Sequence, residues 1–456
     1  MKPVHEFIRD VHQRVPGYQK FLREHDIRDP SDHPFEKIPL QTKQNYLLKH
    51  PIEDLCWNGA IGNCHLIGSS SGFSKSGSVF WPKRPEDEKN YLYSIEKMLV
   101  ANYQIDQKRT LIVCCMALGT WFGGMAITAA VRILASEGRL PITVCTPGLN
   151  LSEAVEIFSR FHRNYDQSLW FSNPSSIGLI SALMKKKGIE PAPGSVYFPV
   201  VGEYFSEAFR DSVAAKYGHD QDAPFVVWTG YGSADAGDLG VETADLIQLR
   251  KFFHRNESER KKVFGTDDTP MLLMPASSKH LEIIDGRIVV SADHLVPLVR
   301  YDTGDEGGFI EKKDLPSGID AELLKRLPEK LLFVRGRVND NVIFYGTNLN
   351  VQEINNHFLV LPKDYGYAGL FTVRQKEQSG VVFFDFAVFV ENASDSTLAS
   401  RYKETLLEFL KAQSLEFKTK YANLTQSVGE ELIRVTLQEY KSGEGRIKHR
   451  FIVTGE

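Results

Sequence analysis

From about residue 110 onward the chain alternates two hydrophobic periods, and that alternation restricts its architecture more than any other feature. Leu111 to Cys115 is a short unbroken apolar run of the kind a buried strand shows, and a second strand is expected near Ser168 to Phe171. Leu151 to Phe161 and Pro174 to Lys187 instead repeat their apolar residues at helical spacing. Repeated β and α units set strands side by side in parallel, because each crossover helix returns the chain to the same end of the sheet. The expected fold class is therefore α/β with mostly parallel sheets. At 456 residues the chain exceeds the size at which one core keeps growing, so two or three domains are expected.

The pattern changes after Gly336-Arg337. There follow Val342-Ile343-Phe344-Tyr345, an aromatic strand Val381 to Val390, a polar loop Asn392 to Ser396, a helix Leu398 to Leu415 and a strand Leu432 to Gln438. The expected division is a large N-terminal α/β domain, residues 1–337, and a small mobile C-terminal α+β domain, residues 338–456, hinged beside the junction. At the other end, Val4, Phe7, Ile8, Val11, Val15, Tyr18, Phe21 and Leu22 recur at helical spacing with a break at Pro16, which reads as packing.

Composition excludes several classes of function. A net charge of -4 with 25% charged residues leaves no electrostatic footprint for nucleic acid or an anionic membrane. Five cysteines without C-x-x-C spacing indicate neither a disulfide framework nor a zinc site, which favours a reducing, cytoplasmic setting. Met1 to Asp10 has no apolar stretch behind a basic end, so no secretory signal is expected, and the sequons at Asn392 and Asn423 carry no weight. Thr110 to Val131 is uncharged over a membrane-spanning length, but Gly119-Thr120 and Gly123-Gly124 divide it into a strand, Thr110 to Ala117, a loop and a core helix. Lys185-Lys186-Lys187 before Gly188 suits a helix C-terminus, and Arg255 to Lys262 reads as a solvated loop.

Two polar signatures suggest a nucleotide site, Arg300-Tyr301-Asp302-Thr303-Gly304-Asp305 and Arg335-Gly336-Arg337-Val338-Asn339-Asp340. Asp305 follows an alternating stretch, Arg287 to Tyr301, read as one strand, and Gly304 beside it allows close approach to the backbone. A carboxylate there can accept both hydroxyls of a ribose. Arg337, after the apolar run Leu331 to Val334, can reach the same nucleotide or its phosphate. Upstream, His65 to Gly77 packs hydroxyls, glycines and Lys75 into a turn whose N–H groups can cradle phosphates. It is not a Walker A loop: Gly72 and Gly77 have the spacing, but Ser78 and Val79 stand where Lys and Ser/Thr belong.

Taken in order, these motifs resemble the adenylate-forming superfamily of acyl-CoA synthetases, luciferases and peptide-synthetase adenylation domains, over almost the whole chain. The opening, Val15 to Phe21 and then Phe35 to Lys43, is similar to the phenylacetate–CoA ligase-like branch and its phrase "LPxTTK". Ser70-Ser71-Gly72, followed by Ser74 and Lys75, stands for the phosphate loop S-S-G-T-S/T-G-K-P. Tyr231-Gly232-Ser233-Ala234-Asp235 stands for Y-G-x-S/T-E, whose tyrosine lies against adenine and whose acid helps hold Mg²⁺, the part Asp235 would take. Glu203 matches a G-A-E segment near the adenine and acyl pockets, Asp305 the ribose-binding aspartate, and Arg337 the arginine that opens the hinge motif G-R-x-D-D, with Asn339 in place of its first aspartate. Glu444 to Arg450 resembles the S-G-K loop, with Arg446 in the catalytic lysine's place and Lys448 two residues on, facing the same side if the segment is extended.

The resemblance implies ATP- and Mg²⁺-dependent conversion of a carboxylic acid to an acyl-adenylate, then acyl transfer to CoA. Trp121, Phe122, Gly123 and Gly124 combine aromatic walls with room left by glycine and are the expected acid pocket, for an aromatic or mid-sized acid. Two alternatives stay open: an amide-forming or carrier-loading enzyme with an amine or carrier-protein thiol as acceptor, and a nucleotide-binding homologue without catalysis. A homodimer is also left open.

Overall fold

The computed structural model describes residues 2–439 apart from 70–78, 221, 267–268, 338–340, 379–380, 391, 394, 396 and 430. Helices Val4–Arg14 and Pro16–Arg23 form where the spacing predicts, with Pro16 at the first helical position, where its missing N–H costs nothing. Their buried face, including Phe7, Val11, Tyr18 and Phe21, shares a core with Val290, Leu298 and Tyr301.

A hairpin of β1 (Leu66–Ser69) and β2 (Phe80–Lys83) pairs Ser69 with Phe80 and so brackets the serine/glycine loop. Eleven strands form the main sheet: β3 (Thr110–Cys114), β4 (Ile142–Cys145), β5 (Gln167–Phe171), β6 (Val196–Val200), β7 (Val227–Ser233), β8 (Gly237–Val241), β9 (Met271–Pro275), β10 (His280–Ile284), β11 (Arg287–Ala292), β12 (Leu298–Glu311) and β13 (Lys330–Arg337). Their order is β10-β11-β12-β13-β9-β8-β7-β6-β5-β3-β4. The α/β class is the one observed. From β4 to β7 all pairs are parallel, with helices Phe122–Ser136, Leu151–Phe161, Pro174–Lys186 and Glu207–Lys216 between successive strands. Every residue of β3 and β5 is buried, as befits strands covered on both faces. From β7 to β10 the pairs are antiparallel, because short connections such as Asp285-Gly286 reverse the chain without a crossover.

Three local expectations are corrected. Arg287 to Tyr301 is two strands, β11 and the start of β12, parted by the polar Asp293-His294 and by Pro297. Arg255 to Lys262 is not a loop: helix Glu257–Phe264 forms there because Phe264 and Arg260 are buried and Gly265 supplies a left-handed cap. Leu398 to Leu415 holds a helix Leu398–Gln413, and a second, Leu415–Val428, starts where the Ser414 side chain accepts from Phe417 N–H. Thr110 to Val131 is β3, a loop and a helix, and among the described residues no helix is long and apolar enough to cross a membrane.

The C-terminal part contains β14 (Asn341–Phe344), β15 (Thr347–Asn350), β16 (Tyr367–Gln378), β17 (Val381–Val390) and β18 (Ile433–Glu439), with β18 parallel to β17. Its aromatic residues Phe344, Tyr345, Phe384 and Phe417 belong to one buried cluster with Phe158, Trp170 and Phe198 of the parallel layer. The expected boundary at 337/338 falls where β13 ends and the undescribed residues 338–340 begin.

Beneath the β7–β8 hairpin lies a fully buried ionic quartet. Arg210 Nη2 is 2.7 Å from Glu242 Oε1 and 3.1 Å from Glu207 Oε1, while Arg250 Nη1 is 3.3 and 3.0 Å from the same two oxygens. Glu242 Oε2 also accepts from Thr229 N–H at 3.1 Å, and Arg210 Nη1 donates to Val227 O at 2.6 Å. The quartet thus fixes the base of the hairpin that carries Tyr231 to Asp235.

Candidate functional site

Two tyrosine–carboxylate pairs join the β7–β8 hairpin to β12. Tyr231 donates its hydroxyl to Asp305 Oδ2 at 2.7 Å, and Tyr301 donates to Asp235 Oδ2 at 2.6 Å. Each element thus contributes one tyrosine and, four residues on, one carboxylate. Asp305 is buried near the middle of β12, and Arg337 is its register partner at the end of β13. Before it, Gly304 has φ +80° and nothing would lie within 4 Å of an added Cβ, so the backbone is open to a ligand as expected. Gly232 and Ser233 complete β7, and Ser233 Oγ accepts from Ala236 N–H at 3.1 Å to shape the turn holding Asp235.

Arg300, Asp302 and Arg335 of the two signatures are scaffold. Arg300, buried, reaches Glu282 Oε1 at 3.0 Å, Glu36 O at 2.7 Å and Ile38 O at 2.5 Å, tying the N-terminal segment to the sheet. Asp302 pairs with Arg287 at 2.7 Å and accepts from Gly304 N–H at 2.9 Å, and Arg335 binds Phe264 O.

Glu203 lies at the start of helix Pro174–Lys186, accepting from Ser175 N–H at 2.9 Å and Ser175 Oγ–H at 2.8 Å. Burial pushes its carboxyl up, opposed by Ser175, the Lys420 charge and Gly346 N–H. Lys420 in turn donates to Tyr345 O at 2.8 Å, so Glu203 sits where the β14–β15 turn meets the large layer.

Trp121 and Phe122 are half-buried at the start of helix Phe122–Ser136, beside the hairpin: Ser69 N–H donates to Thr120 O at 2.6 Å, and Gly68 packs on the Phe122 ring. One expectation fails here. Gly124 leaves no room for an acid, because an added Cβ would lie 1.9 Å from Ala117 O; its purpose is the close approach of helix to strand end. Gly123 is exposed. Ser70, Ser71, Gly72, Ser74, Lys75, Asn339, Arg446 and Lys448 lie outside the described residues, as does the side chain of Arg337.

Sequence reasoning missed Tyr301 as a partner and missed a buried polar cluster behind the Ser233–Gly237 turn. Lys83, at the end of β2, is 4% exposed and donates to Ala234 O at 3.4 Å. His294 Nε2 lies 3.0 Å from Ala236 O and 2.8 Å from Lys279 Nζ, and Asp87 Oδ1 is 3.6 Å from Nδ1. Burial, reinforced by Lys83 and Lys279 and opposed by Asp87, holds His294 down to about 4, so it is neutral at neutral pH. The unfolded chain, near the ordinary 6.5, then binds more protons between those values, and stability falls as pH drops from about 6.5 to about 4. We expect the wild type to lose about 3 kcal/mol more than His294→Gln over that window in denaturant unfolding. Parallel curves for the two proteins would exclude a buried neutral imidazole.

Among the described residues no group of three or more His, Cys, Asp or Glu side chains could hold a metal by itself. A lone carboxylate such as Asp235 still fits Mg²⁺, which keeps several waters and is held largely by substrate phosphates. The chain matches no protein-family model and no curated protein sequence. In three dimensions it is similar to a 2-hydroxyisobutyryl-CoA ligase in complex with 2-HIB-AMP and CoA in the thioesterification state, with a TM-score of 0.61 and 14% identity over 99% of this chain and 87% of that one. The same ligase in the postadenylation state with 2-HIB-AMP gives a TM-score of 0.52 and 13% identity over 99% and 88%. At these identities the likeness establishes the fold, and it is the fold that the adenylate-forming resemblance implies.

Proposed function

We propose that this chain activates a carboxylic acid with ATP, forming an acyl-adenylate and pyrophosphate, and then transfers the acyl group to CoA. The observation that carries the reading is the double tyrosine–carboxylate link, which sets the expected ribose acceptor, Asp305, against the expected adenine neighbour, Tyr231, and holds Asp235 within the same hairpin. Asp305 accepts the ribose hydroxyls, and Arg337 on the neighbouring strand adds a cation to the nucleotide. Tyr301 fixes Asp235, which would hold Mg²⁺; the ion would supply charge to neutralise the phosphates. Attack of the acid on the α-phosphate needs little covalent help, so catalysis rests on positioning and on countering charge through the loop Ser70 to Lys75 and a C-terminal cation. The acid, aromatic or mid-sized, lies along Trp121 and Phe122. Residues 338–456 act as a lid turning about Asn339, in a cytoplasmic protein of the phenylacetate–CoA ligase-like branch.

ATP–pyrophosphate exchange over a panel of carboxylic acids tests this. Exchange with at least one acid is the expected result. ATP binding without exchange would favour the inactive homologue, and acid-dependent exchange with amine but not CoA as acceptor would favour the amide-forming alternative. The identity of the C-terminal cation is tested in the same assay. Lys448 carries a compact charge that packs closely against a phosphate oxygen, whereas Arg446 is broad and delocalised. Lys448→Ala is expected to slow adenylation by a factor of a hundred or more, about 3 kcal/mol in the barrier, and Arg446→Ala by less. The reverse ranking would make arginine the working cation.

A further inference from the structure

Lys83 is a strongly buried cation beside the site that the proposed reaction leaves unused. Its side chain ends between two site elements: Nζ lies 3.4 Å from Ala234 O, in the turn that carries Asp235, and 4.6 Å from the centroid of Phe122, the first residue of helix Phe122–Ser136. An ammonium has three N–H donors. Among the described residues that long contact is the only hydrogen bond of the Lys83 ammonium, although the residue is 4% exposed. Asp87, Asp235 and Asp238 act on it electrostatically, but none is hydrogen-bonded to it. A desolvated charge so poorly matched is expensive unless a partner completes it.

The surroundings favour an anion as that partner. The helix that begins at Phe122 is 15 residues long, and Trp121 at its N-cap gives no side-chain cap, so its uncapped positive end begins at the residue whose ring Lys83 covers. The flanking Trp121 and Phe122 are half-buried aromatic walls, suited to the apolar body of an organic acid and unlike the serine/glycine loop that suits phosphate. We infer that Lys83, with the N-terminus of helix Phe122–Ser136, binds the carboxylate of the acid substrate while Trp121 and Phe122 hold its apolar part. The inference rests on the proposed acid activation for the identity of the ligand. It deepens that reading by assigning the specificity for a charged carboxylate to a side chain of the large layer.

Binding and kinetics together test it in the full-length protein. Calorimetry with benzoate and hexanoate, and with benzamide and hexanamide, is run without ATP on wild type, Lys83→Met and Lys83→Arg. The wild type is expected to bind one of the acids at least tenfold more tightly than its amide. Lys83→Met should erase that preference and Lys83→Arg should keep part of it. In exchange assays Lys83→Met should raise KM for the acid at least tenfold and leave KM for ATP within about twofold. A rise in KM for ATP instead would make Lys83 a phosphate ligand and overturn the inference. So would a lowered Tm with the carboxylate preference intact, which is the mark of a lysine that only supports the Ala234 turn. If the calorimetric preference is present and lost in Lys83→Met but no acid supports exchange, the carboxylate site stands and acid activation fails; if exchange occurs and Lys83→Met matches the wild type in both assays, the reverse holds.

Discussion

Asp305→Ala is expected to abolish acyl-adenylate formation and to leave the fold intact. The carboxylate is 7% exposed, one of its oxygens accepts from Tyr231, and it faces a backbone opened by Gly304. Each charge-assisted hydrogen bond to a ribose hydroxyl contributes roughly 1.5–3 kcal/mol, so losing two weakens nucleotide engagement by about 3–6 kcal/mol. In rate that is ~10²–10⁴-fold. The strand should survive because Asp305 belongs to none of the hydrophobic clusters and its backbone pairing with Arg337 does not need the side chain. Pyrophosphate exchange and thermal unfolding on the same preparation separate the two effects. Near-normal exchange would remove Asp305 from the site, and a collapsed Tm would make it structural.

The second large effect is on stability. Glu242→Ala would leave Arg210 and Arg250 buried at 0% exposure, with only Glu207 to share between them, and would strip Thr229 N–H of its acceptor. Breaking a buried ion pair by removing one partner costs about 3–5 kcal/mol, because the surviving charge cannot regain its hydration. For a domain whose whole stability is on the order of 5–15 kcal/mol, such a loss is severe. The damage should also reach function, since Glu242 directly follows β8 and its quartet holds the base of the hairpin bearing Tyr231 and Asp235. Denaturant unfolding reads the first effect, and exchange activity below the unfolding midpoint reads the second. A loss under about 1 kcal/mol would mean that the quartet relaxes or takes up water.

Much of the local structure was legible in the residues themselves. The N-terminal helices, β3, β5 and the helices around them follow from apolar spacing, and Gly304 and Gly336 take the positive φ that favours glycine, although both lie within strands. Misreadings arose where a local pattern served two ends. The alternation from Arg287 to Tyr301 continues through two strands, because the residues on either side of the Asp293–Pro297 loop both face the core under the N-terminal helices. The charges of Arg255 to Lys262 mask a helix whose burial depends on Arg260 and Phe264 alone. Gly124 looked like space for a substrate and is space for a carbonyl.

By itself the sequence determined the α/β class and the alternation of strands and helices in the parallel layer, because these depend on backbone periods of 2.0 and 3.6 residues and on which side chains permit which turns. Tertiary structure alone decided that Tyr301 pairs with Asp235 across 66 positions and Tyr231 with Asp305 across 74, that β8 to β13 form an antiparallel wing, and that Lys83 loses its water beside Phe122. Such contacts have no local signature. Each must outweigh the loop-closure entropy of joining distant segments, and which ones do so is settled only when the whole sheet and its helices pack together.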